Sequence, residues 1–307
     1  MNCKKFLNNS IEALVKYIKN NHLKSLVLGI SGGIDSTVVA AIASEACKQC
    51  NIPLIGRSLP SGTNKIEEKD AAELVGEAFC NDYKEVDISK LYNIFNDEST
   101  LQEGESTNLQ KGNIKARIRM MYLYHLASIH KGLVLDTGNK TEYELGFFTI
   151  HGDQGDYNPG IIYLWKTDVY YLAEYIASYY LEQYQETKDT NIFNKRLAIL
   201  KSLSLIPTDG NGVSNSDCEQ FGLHNYEQVD DVLQTMYFSK NDALDLVKGN
   251  SEKLINYKNH GIILGGGYVR LIDSYNEQGV DRVMLLHQNT KFKREHLPIH
   301  PSYNELQ

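Results

Sequence analysis

The chain has 307 residues, and 31 basic against 39 acidic side chains leave a formal net charge of −8. That balance excludes nonspecific binding along a nucleic-acid backbone, which needs a basic surface, but leaves room for a local cationic pocket holding a small phosphate ester. Hydrophobic residues at 42% and charged residues at 23% are ordinary for a globular chain, so collagen-like, coiled-coil and disordered classes are out.

No run reaches the ~18 apolar residues of a membrane span. The N-terminus is interrupted by Asn8, Asn9 and Ser10 before an apolar signal core can build. Five cysteines form no disulfide framework, and a reducing cytoplasm is expected.

Residues 4–20 place Phe6, Leu7, Ile11, Leu14, Val15 and Ile18 at helical spacing, predicting a first helix. Residues 25–30 read as a buried strand, 31–36 as a glycine turn and 37–50 as a small-residue helix. A second apolar run at 52–56 precedes a helix over 67–79, with Ala71, Leu74, Val75 and Ala78 on one side. A third strand is expected at 83–88. The stretch 96–112 is polar and aperiodic, predicting a loop. A long helix at 113–130, a fourth strand at 133–136, loops to 160 and a tyrosine-rich helix at 166–184 follow. This alternation predicts an α/β fold, a doubly wound and mostly parallel sheet with helices on both faces. Past residue 185 come helical stretches near 192–203, 226–237 and 277–289, and the segment 261–268 has no clear place. The simplest organisation is one domain over 1–307, with a core of about 23–185 and a helical C-terminal extension of about 186–307.

The chemistry concentrates at 31–36, S-G-G-I-D-S, between the first strand and its helix. Gly32 and Gly33 let the backbone turn sharply and approach a ligand. The helix start beyond them points free N–H groups at the turn, which suits an anion. Ser31 and Ser36 add hydroxyls. Asp35 would repel a phosphate, so its presence there points to a bridging Mg²⁺. The competing explanation is a tight turn in which the serines cap the helix. Neither a Walker A loop nor G-x-G-x-x-G is present.

Other patterns are weaker. Cys47 and Cys50 form C-x-x-C at the far end of a helix, where the dipole disfavours a thiolate, and no second pair exists for zinc. They read as ordinary helical cysteines. Residues 265–270 read as a turn, and Pro298 breaks the helical spacing of His296 and His300. The tyrosines of 163–184 read as helix packing or a dimer face.

The S-G-G-x-D-S loop resembles the pyrophosphate loop of the N-type ATP pyrophosphatases. Later segments narrow the likeness. N-I-K-A-R-I-R-M at 113–120, T-G-N-K-T-E at 137–142, G-F-F-T at 146–149, G-D at 152–153, L-W-K at 164–166 and K-R-E-H-L-P at 293–298 resemble, in order, elements of NAD synthetase. The resemblance implies an adenine nucleotide alpha-hydrolase-like fold and an ammonia-dependent C–N ligase. Such an enzyme amidates deamido-NAD through an acyl-adenylate, releasing AMP and pyrophosphate. It further implies a homodimer, and a C-terminus that folds back onto the site.

Residue by residue, the likeness implies ATP contacts at Gly29, Ser31, Gly32, Gly33, Asp35, Ser36, Arg57, Thr137, Lys166 and Thr208. Asp35 and Glu142 would hold Mg²⁺, and Lys166 would act with them in catalysis. Asn113, Arg117, Phe147, Asp153, Asp156 and Lys293 would bind deamido-NAD. Ile150 stands where the family carries a lysine and Phe292 where it carries a histidine, so the departures fall on the dinucleotide side. His151 or Lys140 is the expected replacement cation. The short stretch before the first strand leaves no room for an amidase domain, so glutamine use would need a separate subunit. The alternatives are another ligase of the group, tRNA-modifying or amidating, and a nucleotide-binding protein without turnover. The acidic charge and the 113–120 segment count against the first, and intact Asp35, Glu142 and Lys166 against the second.

Overall fold

The computed structural model describes residues 1–208, 216–241, 277–295 and 298–306. Four parallel strands, β1 (Ser25–Gly29), β2 (Leu54–Ser58), β3 (Asp82–Glu85) and β4 (Gly132–Val134), lie in the order β3-β2-β1-β4. Leu26 sits opposite Leu54 on one side and Leu133 on the other. Successive residues of β1 and β2 point to opposite faces, and both faces are buried, whereas β3 at the sheet edge is polar and partly exposed. Leu26, Leu28 and Leu54 join the core beneath α1 (Cys3–Asn20), α2 (Ile34–Cys50), α3 (Ile66–Phe79), α7 (Lys166–Thr187) and α8 (Thr190–Leu203). Val27, Ile55 and Val134 join a second core under α5 (Asn108–His130). The expected two-faced parallel sheet is what forms.

The first helix buries the six apolar residues its spacing predicts. α2 begins at Ile34, earlier than expected, because Gly33 is its N-cap. Asp35 and Ser36 therefore stand in its first turn. Nearly all of its small residues are buried, so it lies close on the sheet. Cys47 and Cys50 are free, and burial pushes the Cys47 thiol up to about 12, as suits ordinary packing cysteines.

Two expectations are corrected. The polar stretch 96–112 is largely helical: α4 (Ser89–Glu103) ends at Gly104, and α5 starts at Asn108 behind a Thr107–Gln110 capping box. α4 buries no residue, so it carries no apolar stripe for periodicity to detect. In α3, Leu74 faces solvent, and the buried face runs through Ala71, Ala72, Val75, Gly76 and Phe79. Gly76 turns this face, since a Cβ there would lie 2.0 Å from the Tyr83 ring.

A short α6 (Lys140–Leu145) interrupts the loops after β4. The extension adds α9 (Asp217–Phe221), α10 (Tyr226–Asn241), α11 (Glu277–Asn289) and α12 (Tyr303–Leu306). Phe221, Val229, Leu233, Val280 and Val283 form a third core with Leu145 of α6, which brings the extension against the loops beyond the sheet. The chain end continues the sheet through parallel bridges from Leu135 to Tyr157 and from Tyr157 to Ile299. Residues 261–268 and His296 lie outside the described residues. His300 meets the Tyr163 hydroxyl at 2.8 Å. Among the described residues no helix is long and apolar enough to cross a membrane.

Candidate active site

A cavity of about 310 Å³ opens at the carboxyl ends of β1, β2 and β4. It lies where the connections from β1 and from β3 depart to opposite sides, the usual crevice of an open parallel sheet.

The 31–36 turn forms its floor. Gly32 has φ +82°, and a Cβ there would lie 2.4 Å from the Glu68 carbonyl oxygen and 2.8 Å from the Ala72 nitrogen. Only glycine lets the turn press against α3 in this way. The Ser31 hydroxyl accepts from Gly33 N–H at 3.2 Å and meets the Ser36 hydroxyl at 3.0 Å, while Ser36 donates to the Gly33 carbonyl at 3.0 Å. Gly33 offers no side-chain cap, so the first N–H groups of α2 remain for a ligand.

Across the cavity, Asp35, Glu142 and Lys166 meet. The buried Lys166 ammonium donates to Asp35 Oδ2 and, at 3.3 Å, to Glu142 Oε1. Asn139 caps α6, exchanging bonds with Glu142 of 3.0 and 3.1 Å, and donates to Asp35 at 2.9 Å. One residue thus aims both carboxylates. Burial opposes the charge on Lys166, but Asp35 and Glu142 outweigh it and hold its pKa well above the ordinary lysine value. Burial, with Asp35 nearby, raises that of Glu142 against the pull of Lys166. Two carboxylates gathered on one cation form an all-oxygen set that fits Mg²⁺, which commonly takes one or two protein carboxylates beside phosphates and water.

Gly29, Arg57, Thr137 and Thr208 also line the cavity. Thr208 donates to Glu68 at 2.6 Å. The Arg57 guanidinium is turned to Asp82 at 2.9 Å, and this bond holds the Asp82 carboxyl below its usual range. Phe147 and Asp153 also line the cavity, and Phe147 packs edge-on against Phe221 at 4.9 Å between centroids.

Five expected residues lie outside the lining, among them Gly32, which is pressed against α3. Asn113 accepts from Thr149 at 2.7 Å. Arg117 is exposed and donates to the Ile150 carbonyl at 3.3 Å. Asp156 accepts from Tyr124 at 2.8 Å. Lys293 donates to the carbonyls of Gly146 and Phe148 at 2.8 and 2.6 Å, bracing the Phe147 strip from behind. Neither His151 nor Lys140 lines the cavity, and the Lys140 ammonium sits 4.2 Å over the Trp165 ring.

The match to known proteins agrees with this geometry. The family model described as NAD synthase matches residues 6–259. The chain belongs to the NAD synthase family. Its homologues are C–N ligases. The NH(3)-dependent NAD(+) synthetase of Methanococcus aeolicus is 30% identical over 240 residues, 78% of this chain and 85% of that one. That of Thermoplasma volcanium is 31% identical over 215 residues, 70% and 77% of the two chains. Among solved structures, an NH3-dependent NAD synthetase from Campylobacter jejuni superposes with a TM-score of 0.52 at 26% identity, over 68% of this chain and 98% of that one. The NMN synthetase of Francisella tularensis reaches 0.68 over 99% and 100%, at 22% identity, a likeness of fold.

The structure adds residues that motif reading misses. Asp217 and Arg119 line the cavity. Asp217 accepts from the Tyr226 hydroxyl at 2.9 Å, and the Tyr226 ring lies 5.1 Å from the Lys166 ammonium. Asp230 of α10 accepts from Thr167 N–H and Oγ1, both at 2.9 Å, and from Thr141. It therefore caps the start of α7, beside Lys166. In sequence Asp230 carries no motif, standing as a lone acid between Val229 and Leu233 in a weakly patterned helical stretch.

Proposed function

We propose that the protein amidates deamido-NAD with ammonia at the expense of ATP. The observation that carries this reading is the convergence on one cavity of the uncapped start of α2 and the Lys166–Asp35–Glu142 cluster. The ATP tail lies at the S-G-G-I-D-S turn, with its phosphate oxygens on the α2 N–H groups and the Ser31 and Ser36 hydroxyls. A carboxylate is a poor acyl donor, so it must first be activated. A nicotinate oxygen attacks the ATP α-phosphorus, and the bond from that phosphorus to the β-bridging oxygen breaks. Pyrophosphate leaves, and an acyl-adenylate remains. Ammonia then attacks the acyl carbon, loses a proton, and expels AMP.

Asp35 and Glu142 hold Lys166 charged and in place, so it meets the charge that grows on the leaving pyrophosphate. Asp35 and Glu142 would hold Mg²⁺, which neutralises phosphate charge when bound. Phe147 offers a ring face to the nicotinate, and Asp153 stands at the same end of the cavity. Thr137 and Thr208 flank the ATP. Arg117, Asn113, Asp156 and Lys293 act at the acceptor side, the last three by holding its loops.

The protein is a cytoplasmic homodimer in this reading. α4 exposes Leu91, Ile94, Phe95 and Leu101, and α5 exposes Leu109, Met121 and Ile129, an apolar surface suited to a second copy.

A second reading keeps the chemistry and changes the acceptor to nicotinate mononucleotide, as the name of the Francisella structure suggests. The observation that favours it is local. Ile150 and Phe292 replace family cations, Lys293 is bound to backbone carbonyls, and Arg117 is outside the cavity. The deciding experiment measures pyrophosphate and amide formation from ATP and ammonium with each acceptor, omitting one component at a time. Release that needs deamido-NAD supports the first reading and release that needs only the mononucleotide the second. Acceptor-independent release refutes both.

A further inference from the structure

Asp136, just beyond β4, is 1% exposed, yet the groups that meet its carboxylate are all hydrogen-bond donors. Oδ1 accepts from Gly138 N–H at 3.0 Å and from the Asn158 amide at 2.6 Å. Oδ2 accepts from Gly155 N–H at 3.1 Å. The Tyr143 hydroxyl reaches both oxygens, at 3.3 and 3.2 Å. These donors come from the turn that carries Thr137 and Asn139, from α6, and from the loop that carries Asp153.

A carboxylate is the acceptor-only side chain that satisfies them all. Burial lifts its pKa to about 6, against the pull of these donors, so at neutral pH the ionised form is present. The fit is tight. A Cβ on Gly155 would lie 2.5 Å from the Leu135 carbonyl carbon and 2.6 Å from Asp136 N. Asn158 is itself fully buried and passes the constraint on: its amide also donates to the Gly138 carbonyl at 2.8 Å, and its Oδ1 accepts from Gly160 and Ile162, both at 3.0 Å.

The two segments depend on Asp136 unequally. The ATP-side turn is held independently by the Asn139 cap, by the bond from Asn139 to Asp35, and by Lys140 N–H on the Leu164 carbonyl at 2.8 Å. The acceptor-side loop has backbone bonds to β4 and just beyond it, Asp156 N–H on the Val134 carbonyl at 2.8 Å and Asp136 N–H on the Tyr157 carbonyl at 2.9 Å, and Asp153 N–H is tied to the Thr149 carbonyl at 3.1 Å. Residues 154–158, however, reach the ATP-side turn through the Asp136 carboxylate, by Gly155 N–H and the Asn158 amide. We propose that Asp136 is a positioning residue that sets the acceptor loop, and with it Asp153 and Gln154, against the ATP-binding half of the cavity. This rests on the amidating reading of the site.

The test compares wild type with Asp136→Asn, which turns an NH₂ toward these donors, and Asn158→Ala, which removes one donor from the other end. Steady-state amidation is measured with the acceptor that wild type uses, alongside hydrogen exchange of amides 152–158 and 137–146. The expected result is an acceptor KM raised about tenfold or more, an ATP KM within about twofold, and faster exchange across 152–158 but, beyond Gly138 itself, not across 137–146. Equal changes in both KM values, or unchanged exchange at 152–158, overturn the proposal. Should Asp136→Asn not fold, Asn158→Ala carries the same comparison. A wild type without acceptor-dependent turnover refutes the amidating reading, and the exchange pattern then decides whether Asp136 fixes the loop.

Discussion

Lys166 and Asp35 come from helices 131 residues apart in sequence and form a buried ion pair at the base of the cavity, with Glu142 as the second carboxylate on the same ammonium. The pair joins the start of α7 to the first turn of α2. The 31–36 turn and the Lys166 ammonium are therefore set against each other by the fold itself.

Replacing this cation tests its role directly. Lys166→Met keeps the stem and removes the charge. Removing one preorganised donor to developing charge costs roughly 10²–10³ in kcat. Leaving carboxylates without their buried partner costs about 3–5 kcal/mol of stability. Pyrophosphate release and urea melts read the two effects separately. A loss of kcat under about threefold would remove Lys166 from the chemistry.

Gly32 gives a test of the turn itself. Its φ of +82° and the backbone atoms of Glu68 and Ala72 leave no room for a methyl group. Gly32→Ala should destabilise by more than ~1 kcal/mol, since the new residue cannot adopt the native conformation without strain. ATP affinity should fall with it, because the α2 N–H groups and Ser31 move together. Binding of an ATP analogue by calorimetry at unchanged affinity would contradict this.

The 31–36 turn was legible because its residue types each answer a local need: glycine at positive φ, hydroxyls within reach of each other, an acid in the first helical turn. The central strands β1 and β2 were legible because they are buried on both faces. α4 was not, because a helix that buries nothing leaves no stripe. Asp136, Asp217 and Asp230 were not, because a lone acid in a loop or weakly patterned helix looks solvated. Only the fold shows that donors from distant segments surround Asp136 and Asp230. Leu74 was misplaced because the neighbouring Gly76 admits the Tyr83 ring and turns the buried face of α3.

Arg117 separates the two acceptor readings. It is exposed beside the Ile150 carbonyl, outside the cavity that would take the nicotinate end. If it grips the adenylate half of deamido-NAD, Arg117→Ala should raise the KM for that acceptor about tenfold, the scale of one charge-assisted hydrogen bond. The KM for nicotinate mononucleotide should not move. Equal KM values before and after the change, with both acceptors, would take Arg117 out of recognition.

The exposed apolar surface on α4 and α5 predicts self-association. Phe95 is 56% exposed, so Phe95→Glu should leave the fold intact while placing a charge in the contact. Sedimentation should give a dimer for wild type and a monomer for the variant. A wild-type monomer at tens of micromolar would reject the second copy as the partner of this surface.

Asp230 makes the stability pH-dependent in a stated direction. Burial raises its pKa from 3.8 to about 6, against bonds from Thr141 and Thr167 that favour the charged form. Between those values the native state holds the proton and the unfolded state does not, so stability falls as pH rises through the window. The contribution is present in full below the unfolded value and is gone above about pH 6, a change of about 3 kcal/mol. Asp230→Asn cannot titrate, so the difference in unfolding free energy, wild type minus variant, should decline by most of that amount, about 2 kcal/mol, between pH 4 and 7. Urea melts at unit pH intervals measure it. A flat difference would mean that Asp230 keeps an ordinary pKa, and that its carboxylate caps α7 in the charged form throughout.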